Sequence, residues 1–350
     1  MSAAMPRSCV TEPLIRVTPE SSGDRSSGTN PHLNTPSRIR VQRALRLVAG
    51  FGALRRDQLE ALLLAGEPLT PRSKRVVAHR IVAELRARGT VRSAALAGGD
   101  GSGSVGYVLT AAGQRVYAAS DASYPRRRAS RELSVALLDH AIALADIAVA
   151  FRNAALRAID VALVWESDWE AVARLGSTAA IPDAFVTVER GKWRTRAFIE
   201  ADRSTEWNRA FAGKVRRYID LYHRDTWRGA IATWPLVLTV TLSEVRAQSL
   251  ARVTQRVVDA EGGSRIARAF RFASLEELSR RGPFEPIWYV GDGAGRLAIP
   301  ELEPPISAPR DRVENLAADP SGLDSTAVSL RLPEEESHHG FLNNRTGMAS

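Results

Sequence analysis

The chain has 350 residues, of which 44% are hydrophobic, so it is long enough for two domains of ordinary size around packed cores. A single cysteine, Cys9, excludes an internal disulfide framework and a thiolate zinc site, and no apolar run approaches the ~20 residues that a membrane span needs. The first residues also lack the apolar stretch of a secretory signal, so we expect a soluble cytoplasmic protein without membrane partners.

The formal net charge of +9 is spread unevenly along the chain. Residues 1–130 carry 20 Lys or Arg against 9 Asp or Glu, whereas residues 301–350 carry 4 against 9. Such asymmetry favours a front half that binds a polyanion and an acidic tail. An arginine-heavy composition from a GC-rich genome explains the charge equally well, because only three of the 48 basic residues are lysines.

Both ends of the chain are predicted to be disordered. Residues 1–36 are rich in Ser, Pro, Gly, Asn and Thr and lack hydrophobic periodicity, and residues 301–350 share this character with an acidic bias. For the rest we predict the α+β class. A small helical domain covers 37–122, a basic linker covers 123–131 and a larger α/β domain covers 132–300.

Residues 37–122 begin with two segments of helical periodicity. The first, RIRVQRALRLVAGFG, spaces Val41, Leu45 and Val48 along one face and is predicted to end at Gly50. The second, LRRDQLEALLL, is a short helix. Its predicted buried residues are Leu59, Leu62 and Leu63.

A third helical segment follows, with clearer boundaries. Thr70 is a favourable N-cap, Pro71 suits the first helical position and Gly89 suits the C-terminal end. Its predicted buried face is Val77, Ile81 and Leu85, flanked by Val76 and Val82. After it, TVRSAAL and YVLT around a glycine-rich stretch predict a two-stranded hairpin, and Thr110 is predicted to cap one more helix.

Three helices followed by a hairpin is the order of a winged helix-turn-helix, whose third helix enters the DNA major groove while the hairpin contacts the backbone or the minor groove. The third segment is basic in its first three turns, where residues of such a helix reach base edges and phosphates. The candidate DNA-binding residues are Arg72, Ser73, Lys74, Arg75, His79 and Arg80. The alternative is a protein-docking module whose basic face is only solvated. Helix order and charge together favour double-stranded DNA as the partner.

The linker contains the basic run Arg126–Arg128, which is either a solvated segment or an additional phosphate contact. The helix predicted over 132–156 is apolar all round, which indicates burial against a sheet. It contains His140 and Asp146, and we expect His140 to be a satisfied core residue rather than a ligand.

Apolar runs at 161–167, 181–189 and 194–202 are then predicted to be strands, with Gly191 at the turn between the last two. TEWNRAFAGKVRRYIDLYHR is predicted to be a helix and 235–243 a central strand. The resulting order, α-β-β-β-α-β, is similar to the core of the PD-(D/E)xK nucleases.

Three acids fall where such a core places its metal site. Asp183 opens the second strand, and Glu200 and Asp202 project from one face of the third. Carboxylates are the ligands that Mg²⁺ or Mn²⁺ prefers, and such an ion activates water for attack on a phosphodiester. The motif requires a lysine where Asp202 stands, and Lys214 on the following helix is the candidate to replace it. The predicted catalytic set is therefore these four residues, the three acids being the metal ligands, with no organic cofactor.

Each of these residues also has an ordinary structural explanation. Asp183 is then a turn cap, and Glu200 and Asp202 are strand-end acids paired with Arg203 or Arg196. Lys214 is then a surface residue of its helix. The displaced lysine favours a binding role for the domain over retained cleavage.

The chain resembles the replication-relaxation family of plasmid and integrative-element proteins of actinobacteria and other Gram-positive bacteria. The resemblance spans roughly 38–295 and rests on VGYVLTAAGQRVY, LLDHAIALADIAV, IPDAFV, FIEADRSTEWNRAFAGKVRRYIDLY and FRFASLEELSRRGPFEPIWYV. The matching positions are Asp183, Glu200, Asp202, Arg203, Lys214 and Tyr218. It implies an accessory role in the replication or relaxation of mobile DNA, with a relaxase or a replication initiator as partner.

Three functions remain open at this point. The first is a DNA-binding accessory protein, the second a Mg²⁺-dependent endonuclease and the third a winged-helix transcription regulator whose second domain dimerises or binds a partner. A relaxase itself is disfavoured, because its tyrosine nucleophile needs a histidine cluster and the six histidines are scattered. Homodimer formation is left open.

Overall fold

The computed structural model describes residues 13–19, 36–96, 105–121, 124–125, 134–175, 181–203, 208–224, 226–229, 231, 233–293 and 295–299. These residues belong to one compact unit. The predicted acidic tail, most of the predicted N-terminal tail and the Arg126–Arg128 run lie outside the described residues. None of the helices in the described ranges has both the length and the apolarity that crossing a lipid bilayer requires.

The helices of the described residues are α1 (Pro36–Phe51), α2 (Arg56–Leu64), α3 (Pro71–Ala87), α4 (Ala111–Ser120), α5 (Val135–Arg157), α6 (Asp168–Leu175), α7 (Asn208–His223), α8 (Glu244–Glu261) and α9 (Leu275–Arg281). Short 3₁₀ segments lie at Thr226–Gly229 and Ser264–Ala269. The strands are β1 (Ile15–Val17), β2 (Val91–Ala95), β3 (Val105–Leu109), β4 (Val161–Ser167), β5 (Ala184–Arg190), β6 (Trp193–Asp202), β7 (Leu236–Thr241), β8 (Phe270–Ser274), β9 (Trp288–Val290) and β10 (Arg296–Leu297).

Eight strands form one mixed sheet in the order β1-β4-β5-β6-β7-β8-β9-β10. Strands β6, β7 and β8 run parallel, whereas every other neighbouring pair is antiparallel. In the centre, Glu200 of β6 lies opposite Thr239 of β7, and Ile199 lies opposite Ala184 of β5. Strands β2 and β3 form a separate hairpin. This arrangement confirms the predicted α+β class with a mixed sheet.

The helix boundaries in the first third of the chain follow local signals. Thr70 Oγ1 accepts a hydrogen bond from the Ser73 N–H at 3.1 Å, Pro71 begins α3, and Gly89 follows α3 with a left-handed φ of 65°. Such N- and C-terminal signals are those predicted from the sequence. Helix α1, however, continues through Gly50 to Phe51, because Gly52 and not Gly50 has the left-handed φ.

The sheet is covered on both faces. Alternate residues of β6, such as Ala197 and Ile199, pack in a core that also contains apolar residues of α1, α2, α3 and α5. Phe198 on the opposite face packs in a second core with α6, α7 and α8. The predicted helix over 132–156 is therefore buried against the sheet as α5, although it begins at Val135 and ends at Arg157.

Several elements were not predicted. Strand β1 lies within the predicted disordered segment 1–36 and pairs with β4 at the sheet edge. Helix α6 separates β4 from β5, so the order is α-β-α-β-β-α-β rather than α-β-β-β-α-β. On α3, Ala78 rather than Val76 belongs to the buried face, and Val76 is 43% exposed.

Candidate functional site

Asp183 is held beside the end of β6 by two backbone contacts. Its N–H donates to the carbonyl of Ile199 at 3.0 Å, and its carboxylate Oδ2 accepts from the N–H of Ala201 at 2.8 Å. Because β5 and β6 are antiparallel neighbours, this pairing brings the residue before β5 next to Glu200 near the end of β6. The sequence prediction that these two acids lie on neighbouring strands agrees with this geometry.

Glu200 is buried at 2% exposure and has two partners on α7. Lys214 Nζ donates to Oε2 at 2.8 Å, and the Tyr218 hydroxyl donates to Oε1 at 2.5 Å. The two partners are four residues apart and so face the same way. Burial raises the pKa of Glu200 to about 7; Lys214 opposes this rise, and the nearby charge of Asp183 adds to it.

His140 of α5 is the third member of this cluster. Its Nε2 lies 3.1 Å from Oδ1 of Asp183, and its side chain is 34% exposed. The hydrogen bond to Asp183 raises the pKa of His140 against the opposing effect of burial. Burial would raise the pKa of Asp183, but the hydrogen bond from His140 holds it below its ordinary value. His140 is thus satisfied by Asp183, as expected, but it is half-buried beside the candidate site and not a core residue.

Asp202 has a partner that the sequence did not suggest. Arg246 of α8 donates to its two oxygens through Nε at 2.9 Å and Nη2 at 3.2 Å. A third guanidinium nitrogen of Arg246 donates to Asn208 at the start of α7. Arg203, one of the two partners considered from the sequence, instead lies 3.5 Å from Asp139 of α5.

The arrangement bears directly on the predicted metal site. Asp183, Glu200 and Asp202 each contact a different basic side chain. Asp202 accepts hydrogen bonds from two nitrogens of Arg246. No group of three or more His, Cys, Asp or Glu in the described ranges is arranged to hold a metal ion. Each of the three acids is thus paired with a basic side chain in this structure, and metal binding by them stays a prediction. Lys214 does reach back to the site, as the sequence suggested.

A cavity of ≈390 Å³ opens beside the Asp183–His140 pair. Its walls come from α1, the β2–β3 hairpin, α5 and the segment before β5, and most of them are apolar. The polar groups in the walls include Arg92 on β2 as well as His140 and Asp183. The Asp183–His140 pair is therefore accessible from this cavity, whereas Glu200 and Asp202 do not line it.

The candidate DNA-binding residues of α3 divide into two groups. Lys74 Nζ donates to the carbonyl of Ala65 at 2.9 Å, and the Ser73 hydroxyl lies 2.9 Å from that of Thr70, so both serve the turn between α2 and α3. The other four are exposed and have no hydrogen-bond or ion-pair partner among the described residues. These four are Arg72, Arg75, His79 and Arg80.

The four free residues share one face of α3. Their spacing, together with the exposed Val76, follows the i, i+3, i+4, i+7, i+8 pattern of a single helical stripe. Glu84, the only acid in α3, lies one turn further on and pairs with Arg88. We call the stripe of Arg72, Arg75, Val76, His79 and Arg80 the α3 face.

The predicted site left out three contributors to the acidic cluster: His140, which was expected to be a core residue, Tyr218, which was noted only as a position that matches the family, and Arg246. The spacing of four residues between Lys214 and Tyr218 was a usable signal, since it predicts one helix face. Nothing local indicated His140 or Arg246, which lie 43 residues before Asp183 and 44 residues after Asp202.

The chain is similar to one known protein family. A family model described as replication-relaxation matches residues 45–237, which is more than half of the chain. No curated protein and no solved structure matches the chain. The matched range contains α3, β5, β6 and α7, and thus the α3 face and most of the acidic cluster. The chain belongs to the replication-relaxation family.

Proposed function

We propose that this chain is a double-stranded-DNA-binding accessory protein in the replication or relaxation of a plasmid or integrative element. Family membership suggests a role in the replication or relaxation of such an element. In our proposal α1 to α4 with the β2–β3 hairpin act as a winged helix, and a relaxase or replication initiator acts as the partner protein.

The α3 face is the observation that carries the proposal. It presents Arg72, Arg75 and Arg80 to solvent with no acid among them and no ion pair within the described chain. Arginine forks suit guanine edges and phosphates, and an exposed apolar side chain such as Val76 suits a thymine methyl group. A helix face of this composition and width matches the needs of the major groove.

The sheet domain takes a binding role in this proposal. The order β4-β5-β6-β7, flanked by α5 and α7, supports the analogy with the PD-(D/E)xK core. Fold analogy alone does not establish cleavage, and each acid is already neutralised by a side chain of its own. We therefore assign the domain to DNA or partner binding.

Fluorescence anisotropy with a labelled duplex from the element's origin tests the α3 assignment. We expect Arg72→Ala and Arg75→Ala each to lose about 1–3 kcal/mol of binding free energy, and wild-type affinity to fall steeply as salt rises. Arg256→Ala is the matched control, because Arg256 is an exposed arginine on α8. Equal affinity for all three variants would refute the recognition-helix assignment.

A metal-dependent endonuclease is the second candidate, favoured by the contact of Lys214 with Glu200 at 2.8 Å. A plasmid-nicking assay with Mg²⁺ or Mn²⁺ decides between the two. Cutting by the wild type that is lost in Asp183→Ala would replace the binding role with cleavage. Binding to the chain's own upstream region but not to an origin would favour a transcription regulator instead.

A further inference from the structure

Four arginines from three separate elements line one small pocket. Arg16 lies on β1, Arg43 and Arg46 on α1, and Arg152 on α5, and the pocket measures ≈130 Å³. Leucines of α1 and α2, together with Pro13, Leu14 and Ile15, supply its apolar walls. None of these residues belongs to the α3 face or to the acidic cluster, so the pocket is a separate feature of the molecule.

Arg152 is the buried member of the set, with 9% of its surface exposed. Its Nη1 donates to the carbonyl of Ala61 on α2 at 2.8 Å, while its buried Nε has no hydrogen-bond partner among the described residues. Burial lowers the pKa of the Arg152 guanidinium to about 10. A buried cation that lacks a counter-ion destabilises the fold, and an anion in the pocket would offset that cost.

The other arginines leave the pocket strongly positive. Arg46 lies 3.3 Å from Glu170, whose second oxygen accepts from the N–H and hydroxyl of Ser167. Arg16 and Arg43 are exposed and have no hydrogen-bond or ion-pair partner within the described ranges. Among the residues that the structure describes, Glu170 forms an ion pair with Arg46 and with none of the other three arginines.

We infer that this four-arginine pocket binds a phosphate group. Guanidinium forks match the oxygen geometry of phosphate, and several of them around one small space favour a compact, highly charged anion. A volume of ≈130 Å³ is well below the ~300–1,000 Å³ of pockets that bury whole organic ligands, so the phosphate alone enters. Its source is either free phosphate or the backbone of bound DNA.

Thermal unfolding in inorganic phosphate, compared with chloride at matched ionic strength, tests the site. We expect a saturable rise in the melting temperature of the wild type, because a ligand that binds only the folded state stabilises it. Arg43→Gln should weaken the response about tenfold, on the order of one lost charge-assisted hydrogen bond, and Arg152→Leu should remove it. Arg43 is exposed, so its variant keeps the test valid if Arg152→Leu fails to fold. Arg256→Gln should respond as the wild type does.

The salt dependence of duplex binding then identifies the source of the phosphate. If DNA supplies it, the slope of log affinity against log salt should fall by about one in Arg43→Gln, as it does when one phosphate contact is lost. An unchanged slope together with a lost phosphate response assigns the site to free phosphate. No phosphate response in the wild type and an unchanged slope in Arg43→Gln would overturn the inference. Duplex binding by the α3 variants tests the proposed function, whereas the phosphate response and the Arg43→Gln slope test the pocket. Failure of one can therefore be distinguished from failure of the other.

Discussion

The α3 face and the acidic cluster both concentrate charge, but they differ in where the opposite charge lies. The arginines of the α3 face point to solvent and have no ionic partner among the described residues. In the acidic cluster, Glu200 is bound by Lys214, and Asp202 by Arg246. The charges of the first region are therefore open to an external anion, whereas those of the second are paired within the fold.

This difference predicts that substitutions in the two regions change different properties of the protein. Exposed cations contribute little to folding stability, so changing them should alter binding alone. Buried and paired charges behave in the opposite way, because removing one partner leaves the other charge without compensation. Changes in the acidic cluster should therefore affect stability first.

Lys214→Met should give the largest effect. It leaves the buried carboxylate of Glu200 with Tyr218 as its remaining contact on α7, and we expect a loss of about 3 kcal/mol in the free energy of unfolding at pH 8. Urea unfolding followed by circular dichroism measures it. The double variant Lys214→Met/Glu200→Gln should recover most of the loss, since the buried charge is then absent. A single variant as stable as the wild type would show that the pair is not a structural element.

The pH dependence of stability should be the next largest effect. Glu200 has a folded pKa of about 7, above its ordinary value, so the folded state holds its proton where the unfolded state has lost it. The contribution of protonated Glu200 to the free energy of unfolding is complete below pH 4.5 and disappears as pH rises through 7. The raised pKa of His140 lowers stability in the same direction as pH rises. We expect a decrease of roughly 2 kcal/mol between pH 5 and 8. Glu200→Gln should flatten this profile, and an unaltered slope would contradict the assignment.

Lys74 and Arg75 are neighbours on α3, but only the side chain of Lys74 has a hydrogen-bond partner among the described residues. Arg75→Met should weaken duplex binding about tenfold, or ~1.4 kcal/mol, because Arg75 is free to contact DNA. Lys74→Met should leave binding within about twofold, since Lys74 already donates to the carbonyl of Ala65. Anisotropy titrations of both variants at one salt concentration make the comparison. Equal losses would mean that net charge, and not the α3 face, governs affinity.

The smallest effect should come from Val76→Ala. Val76 is 43% exposed on the α3 face, so we expect unfolding free energy to change by less than about 0.5 kcal/mol. A thymine methyl contact would be lost, giving a decrease in affinity of less than about tenfold that is confined to duplexes with thymine at one position. A loss that is uniform across sequences would place Val76 away from the bases.

The sequence predicted the parts of this molecule that have local causes. The cap at Thr70, the proline at the start of α3 and the turn at Gly191 act over a few residues, and all of them lie where expected. The alternation of β6 likewise indicated that Glu200 and Asp202 share a face. Both do contact the helices on the second face, α7 and α8.

The contacts that decide the character of the site could not be predicted in the same way. Arg246 meets Asp202 because β6 and β7 are parallel and α8 follows β7, which no local pattern indicates. His140 meets Asp183 because α5 lies across the sheet. Helix α6 has only eight residues and β1 only three, too short for periodicity to distinguish them from loops.

The shared core beneath the first helices has a consequence for attempts to divide the chain. Gln58 of α2 donates to the carbonyl of Ile142 and to Asp146 on α5, and Arg55 also binds Asp146. The helices that precede the hairpin are thus joined to α5 by polar contacts and to the sheet by apolar packing. A 37–122 fragment would expose this apolar face to water and would lose the contacts of Gln58 with α5. Grafting the α3 face onto another protein should therefore require the sheet domain to travel with it, and chimaeras with relatives should be joined after the sheet and not before it.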